Sequence, residues 1–151
     1  DGEGIFVGSS SSCLCLVHGE TVPSQYVPSR PFRINAGAVH SYVMMANGST
    51  KYLSELSSGD QVAVYSGDGL AKIATIGRLK IERRPLLKVS MKSENITGNV
   101  ILQQAETVRL VTSSGTAISV TELSSGDEIT VLNEKGMRHI GISVQGEVTE
   151  K

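Results

Sequence analysis

The sequence predicts a mainly β fold, a small barrel or sandwich-like domain built from two repeated β units with little helix. Apolar and polar residues alternate with a period of two over many short segments, which is typical of strands. The string Glu55–Asp60 recurs letter for letter as Glu122–Asp127, which indicates an internal duplication. No stretch carries apolar residues at i, i+3, i+4 and i+7 over three turns, so no amphipathic helix is predicted. Many short strands at close spacing favour a barrel or a sandwich.

The duplication divides the chain into parts. Residues 35–83 form the first copy, residues 102–147 form the second copy, and residues 1–34 supply N-terminal strands and a proline-rich arm. The alignment of the copies matches His40 with Arg109 after a small shift of register. This match predicts a position that accepts polar, cationic side chains and faces a cleft.

Each repeated string ends in Ser-Ser-Gly-Asp, which has the chemistry of a turn. Glycine permits a positive φ, and Asp or Ser can bond the nearby backbone. Alternating runs follow at 61–65 and 128–132 and predict strands. The other alternating or apolar segments predict further strands, at residues 5–7, 13–17, 39–45, 86–91, 100–103 and 108–111.

The proline-rich arm, residues 21–33, is predicted to be an ordered crossing loop. Its three prolines remove ladder hydrogen bonds and restrict the backbone. Arg30 and Arg33 lie close in sequence to the amide of Asn35, and arginine forks suit the binding of carboxylate or phosphate. The alternative is that these side chains tie the loop to neighbouring carbonyls and acids. Gln103 begins the second copy where Asn35 begins the first, so amides could line the same kind of groove.

Two further groups of polar residues are candidates for chemistry. His18 and Glu20 follow the end of a predicted strand, and a histidine beside a carboxylate suits acid–base catalysis; a surface or hydrogen-bonded histidine is the alternative. The segment Arg78–Arg84 is predicted to be a strand with one cationic face that includes Lys80. That face is either a solvated surface or a stripe that binds anions.

Composition excludes several classes of partner. With 14 basic and 15 acidic side chains, the chain has no overall field to attract nucleic acid. Aromatic residues make up 4% of the chain, with no Trp, which argues against a stacking platform for single strands. No apolar run approaches the ~20 residues of a membrane span. Cys13, Cys15 and His18 are too few ligands for a tetrahedral metal site, so we expect buried thiols and no metal.

Six strings in order closely resemble the archaeal-type 3-dehydroquinate synthase II family over nearly the whole chain: residues 4–12, 16–21, 26–42, 50–60, 77–87 and 99–110. The similarity covers only the C-terminal part of that family. With the abrupt start at Asp1, it implies that residues 1–151 are the C-terminal β domain of a longer enzyme, whose N-terminal half would be a partner in the same polypeptide. It also implies a cytoplasmic protein, or a plastid one if the source is a plant or alga.

The resemblance further implies an NAD-dependent oxidative deamination and cyclisation. The substrate would be a small anionic amino-sugar acid, an amino-dideoxy-heptulosonate, and the product 3-dehydroquinate, for aromatic amino acid biosynthesis. Such chemistry needs an acid–base group and cationic clamps. The residues of suitable type are His18, Glu20 and His40 for catalysis, and Arg30, Arg33, Asn35, Lys80 and Arg83 for the cofactor.

A different class of function is the alternative. The chain would then be a non-catalytic β-barrel scaffold or binding module, with catalysis in the other half of the homologous protein. Titration of this chain alone with NAD is expected to show weak binding or none.

Overall fold

The computed structural model describes residues 3–21, 32–66, 68–81, 84–92, 97–133 and 136–148. In these residues the only helices are two single 3-10 turns, so the predicted mainly β fold is confirmed. The strand predicted over 39–45 is shorter than expected. The strands are β1 (Gly4–Ser10), β2 (Cys13–His18), β3 (Glu20–Thr21), β4 (Phe32–Arg33), β5 (Tyr42–Met44), β6 (Thr50–Tyr52), β7 (Gln61–Ser66), β8 (Gly69–Thr75), β9 (Leu86–Lys92), β10 (Thr97–Gln103), β11 (Arg109–Val111), β12 (Ala117–Ser119), β13 (Glu128–Asn133) and β14 (Gly136–Val148). The 3-10 turns are Leu53–Glu55 and Val120–Glu122.

Most of the strands belong to one large antiparallel sheet, and β3 and β4 form a separate pair. The order along the large sheet is β10-β9-β14-β13-β2-β1-β5-β6, with β11 and β12 attached at β2 and β7 and β8 attached at β1. Among the described strands this order ends at β10 and β6, so the sheet is not closed into a barrel. Instead β10 packs across β1 and β2, and a Cβ on Gly98 would lie 2.7 Å from the Cys13 Sγ. The fold is therefore sandwich-like.

Alternation along the strands places side chains on two faces of the large sheet. The core face packs against β9 and β10, and includes Val7, Val17, Val43 and Leu110. The opposite face, called the Phe6 face below, buries Phe6, Leu14, Leu16 and Val111. Because burial of one such side chain contributes about 1.5–3 kcal/mol, both faces stabilise the fold.

The two copies of the repeat have the same strand pairing. In the first copy β5 pairs with β6 through Tyr42 and Tyr52. In the second copy β11 pairs with β12 through Arg109 and Ser119, each of which lies 67 positions after its counterpart. The two units therefore share one backbone plan.

The predicted Ser-Ser-Gly-Asp turns form in both copies. Asp60 Oδ2 accepts a hydrogen bond from the Ser57 N–H at 2.9 Å, and Asp127 Oδ2 accepts one from the Ser124 N–H at 2.8 Å. The glycine of each turn has a φ of 98°, a conformation that glycine adopts without strain. The turn chemistry is thus the same at the start of β7 and of β13.

Each strand of the N-terminal hairpin pairs with one copy. Val7 of β1 pairs with Val43, and Val17 of β2 pairs with Leu110. Val43 and Leu110 are equivalent under the displacement of 67 positions, so β1 and β2 occupy equivalent places. The structural duplication therefore includes one strand of this hairpin for each copy.

The predicted match of His40 with Arg109 is wrong. The hydrogen-bonded turns that precede β5 and β11 keep the displacement of 67 positions. Tyr42 is therefore the counterpart of Arg109, and Thr107 is the counterpart of His40. Backbone pairing determines this register, and the similarity of letters across the two turns is misleading.

The predicted strand over Arg78–Arg84 is also wrong at its described residues, 78–81 and 84. The preceding strand, β8, pairs with β7 only, and no described strand lies along its other edge. A segment without a neighbouring strand cannot complete a ladder. In the second copy the equivalent strand, β14, pairs with both β13 and β9.

Candidate ligand-binding site

His18 is the last residue of β2 and lies opposite Gly4 of β1. Its neighbour Val17 packs on the core face, so alternation directs His18 to the Phe6 face. The side chain is half-buried, and its Nδ1 atom is buried. The predicted catalytic histidine therefore lies at the edge of an apolar face, partly shielded from water.

The close approach of β1 and β2 requires glycine at position 4. A Cβ atom on Gly4 would overlap the backbone oxygen of Val17. The position on β1 that lies opposite His18 therefore has no side chain, and other groups can occupy that part of the Phe6 face.

The chain after His18 connects the proline-rich arm to the same end of the sheet. The Gly19 N–H donates to the Glu3 backbone oxygen at 2.9 Å. Glu20 then pairs with Arg33 in the short ladder of β3 and β4. The backbones of two predicted catalytic residues and of one predicted cofactor-binding arginine therefore lie near one end of the hairpin. The side chains of Glu20 and Arg33 are outside the described residues.

Asn35 lies beside Gln103, at the end of β10. The Asn35 Nδ2 donates to Gln103 Oε1, and the Asn35 Oδ1 accepts from the Gly37 N–H at 3.4 Å. Gly37 has a φ of +88°, and a Cβ there would overlap the backbone oxygen of Ile101. The structure thus brings the two amides into direct contact, where the sequence predicted equivalent places in two similar grooves, and it ties this segment tightly to β10.

The other predicted site residues are not brought to His18 by the described contacts. His40 is exposed in the turn before β5, and β5 pairs with Val7 and Gly8 of β1. His18 lies opposite Gly4, four residues from Gly8, and a rise of ~3.3 Å per residue separates these two positions of β1 by roughly 13 Å. Lys80 is exposed in the segment after β8. Arg30 and Arg83 lie outside the described residues.

Arg109 is a neighbour of His18 that sequence reasoning missed. The bridge between Leu110 and Val17 is antiparallel, so the next cross-strand position joins Arg109 to His18. Leu110 packs on the core face, so alternation directs Arg109 to the Phe6 face with His18. The correct register of the repeat is the signal that would have found it.

The equivalent position in the first copy carries an aromatic pair. The rings of Tyr42 and Tyr52 stack with centroids 4.6 Å apart, and their hydroxyls lie 2.9 Å from each other. A hydrogen bond with Tyr52 raises the pKa of the Tyr42 hydroxyl, and the charges of Tyr52 and Glu55 raise it further. Tyr42 is therefore a neutral, packed residue where the second copy carries a cation.

Cys13 and Cys15 are buried free thiols, as predicted. Burial raises the pKa of both thiols, so they stay protonated near neutral pH. Within the described ranges, His, Cys, Asp and Glu do not group in threes as metal ligands would. No helix in the described part of the chain has the length and apolarity to cross a membrane.

Comparison with known proteins gives matches along the whole chain. The family model described as the 3-dehydroquinate synthase II C-terminal domain matches residues 1–151. The chain is 47% identical over 150 residues to a 3-dehydroquinate synthase of Methanothermobacter thermautotrophicus, covering 99% of this chain and 40% of the relative. It is 48% identical over 151 residues to a 3-dehydroquinate synthase of Methanoculleus marisnigri, covering 100% of this chain and 46% of the relative.

A third relative is about equally similar. The protein named 3-dehydroquinate synthase homolog in Aquifex aeolicus is 49% identical over 150 residues, covering 99% of this chain and 45% of the relative. The chain therefore spans less than half the length of these curated relatives. No solved structure matches it.

Proposed function

Because the chain belongs to the 3-dehydroquinate synthase II family as its C-terminal domain, we propose that it is part of an NAD-dependent 3-dehydroquinate synthase. The reaction is the oxidative deamination and cyclisation of an amino-dideoxy-heptulosonate to 3-dehydroquinate, in aromatic amino acid biosynthesis. The observation that supports it is the similarity of 46–49% identity that runs along the whole chain to relatives named for this product or as a homolog.

The described residues do not fit a dinucleotide site of their own. Pyrophosphate is commonly held at the N-terminus of a helix that follows a strand, whereas the described part of the chain has strands and two single 3-10 turns. The predicted cofactor residues Arg30, Arg33, Asn35, Lys80 and Arg83 would act only as separate polar contacts. We therefore assign most of the NAD site to the part of the relatives that this chain does not span.

The chain's own contribution is proposed at the end of β2. His18 lies half-buried at the edge of the Phe6 face, and the backbone of Glu20 follows two residues later. A histidine in this position can take a proton from the substrate amine and return one during closure of the ring. The apolar neighbours Phe6 and Leu16 limit the access of water to the same place.

A non-catalytic scaffold is the second candidate function. It is favoured by the exposure of His40 and Lys80 and by the separation of His40 from His18 along β1. In that case the domain would support a site built wholly by the other part of the homologous protein.

The test is an assay of the full-length gene product for NADH production with the amino-dideoxy-heptulosonate. Activity is expected, with a loss of roughly 10²–10⁴-fold in kcat for His18→Ala, the usual contribution of an acid–base group. The matched control is His139→Ala, because His139 is an exposed histidine on β14. Absence of NADH from the unaltered protein would contradict the enzyme. Normal kcat/KM in His18→Ala, Arg33→Ala and Lys80→Ala would support the scaffold instead.

A further inference from the structure

We propose that His18 and Arg109 form a carboxylate-binding site on the Phe6 face. The inference deepens the proposed function, because there the bound group is the carboxylate of the substrate. The identity of the bound molecule rests on the proposed function, whereas the site itself rests on the structure.

The strand register brings the two side chains together. Val17 and Leu110 are bridge partners on β2 and β11, and both pack on the core face. The next residues, His18 and Arg109, are therefore cross-strand neighbours on the Phe6 face, with Cβ atoms ~4.5–5.5 Å apart. Both side chains are half-buried, so their donors are less hydrated than those of a fully exposed pair.

Among the described residues, the cross-strand positions that flank His18 and Arg109 carry no charged side chain. On one side, the cross-strand partner of His18 is Gly4, which has no side chain. On the other side, the partner of Arg109 is Ser119, whose hydroxyl lies 2.9 Å from that of Thr121. The nearby carboxylate of Glu3 is 3.5 Å from Lys72 Nζ. The described cross-strand neighbours of this pair are thus a glycine and a neutral hydroxyl.

The first copy shows that the fold does not need these donors. The equivalent pair there is Gly8 with Tyr42, which are bridge partners on β1 and β5. The same backbone place is stable with a glycine and a packed tyrosine, so histidine and arginine are not required for pairing. A planar guanidinium beside an imidazole N–H matches the two oxygens of a carboxylate. Among the described residues, the exposed carboxylate of Glu122 is one intramolecular competitor, because its counterpart Glu55 acts electrostatically on Tyr42.

The experiment titrates the 151-residue chain, which has its own buried core, with 3-dehydroquinate while backbone amide and imidazole signals are followed by NMR. We expect shifts centred on Gly4, His18 and Leu110. Arg109→Gln should weaken binding about tenfold or more, the usual effect of losing a charge-assisted hydrogen bond. Arg138→Gln is the matched control, an exposed arginine on β14, and should bind as the unaltered chain does. Thermal unfolding of each variant separates loss of binding from loss of fold.

Separate titrations with inorganic phosphate and with NAD identify the anion. Tighter binding of either one at the same residues would overturn the carboxylate assignment. Unchanged affinity of Arg109→Gln for 3-dehydroquinate would overturn the site. If this variant lost stability but kept its affinity, Arg109 would instead pair with Glu122 within the chain. If the full-length gene product makes no NADH but the carboxylate binding holds, the proposed function fails and the site stands. If NADH forms while Arg109→Gln binds 3-dehydroquinate normally, the proposed function stands and the site fails.

Discussion

The two copies of the repeat share their backbone but differ in their surroundings and their side chains. In the second copy, β14 pairs with β9 and its residues Ile140 and Ile142 are buried. In the first copy, β8 has no described strand on its outer edge, and Leu70 and Ile73 are 59% and 50% exposed. On the Phe6 face, Tyr42 of the first copy corresponds to Arg109 of the second. The difference shows that turns and strand pairing survive while the chemistry of a face changes.

The entry to each copy gives the largest expected effect. Gly37, near the start of the first copy, has a positive φ and lies tightly against the backbone of Ile101. Its counterpart in the second copy, Gln104, is exposed. Gly37→Ala should lower the free energy of unfolding by about 3–5 kcal/mol, since a strained φ and an overlap add together. Gln104→Ala should change it by less than about 0.5 kcal/mol. Denaturant unfolding of both variants measures the contrast, and equal losses would show that the entries do not differ.

The outer strands give the next effect. Ile142 of β14 is 3% exposed, so Ile142→Ala should cost about 3 kcal/mol. Ile73→Ala on β8 should cost within about 1 kcal/mol, because that side chain is half in solvent. The same unfolding experiment compares them. A large cost for Ile73→Ala would mean that β8 is covered as β14 is.

The two turns should respond alike. Asp60→Ala and Asp127→Ala each remove an acceptor for a serine N–H, and each should cost about 1 kcal/mol. Asp60 also lies 3.6 Å from Lys51 Nζ, but a partly exposed ion pair adds little. Asn substitutions keep an acceptor oxygen and are the controls. A much larger loss at Asp60 than at Asp127 would show that this ion pair matters.

The thiols of β2 give the smallest effect. Cys15 on β2 is the counterpart of Ile5 on β1 in the duplicated hairpin. Burial raises the pKa of both Cys13 and Cys15. A pKa raised in the folded state means that stability is full below the unfolded thiol pKa of about 8.5 and falls as pH rises above it. Unfolding should therefore become easier above that pH, and Cys15→Val should reduce the decline. Native chain should react slowly with a thiol reagent at neutral pH, and rapid reaction would contradict the burial.

Local chemistry was predictable from the sequence, and long-range pairing was not. Period-two alternation located most of the strands, and Ser-Ser-Gly-Asp predicted turns that form with the same hydrogen bonds in both copies. The register before β5 and β11 was misread because it depends on backbone bonds that letters do not encode. The cationic segment after β8 was misread as a strand because its sequence cannot show that none of the described strands lies beside it.

The candidate site was predictable only in part. His18 was found from its place at a strand end beside an acid. Arg109 was missed because its position beside His18 depends on the bridge between Leu110 and Val17, which lie 93 positions apart in the sequence. Asn35 and Gln103 were expected at equivalent places in the two copies, whereas the structure joins them directly by a hydrogen bond.

The central claim is that the second copy binds the substrate where the first copy only packs. Steady-state kinetics of the full-length gene product, with Arg109→Gln and its counterpart variant Tyr42→Phe, test this most directly. We predict that Arg109→Gln raises KM for the amino-dideoxy-heptulosonate about tenfold or more, with Tyr42→Phe within about twofold of the unaltered protein. Equal effects of the two variants, or an unchanged KM in Arg109→Gln, would contradict the claim.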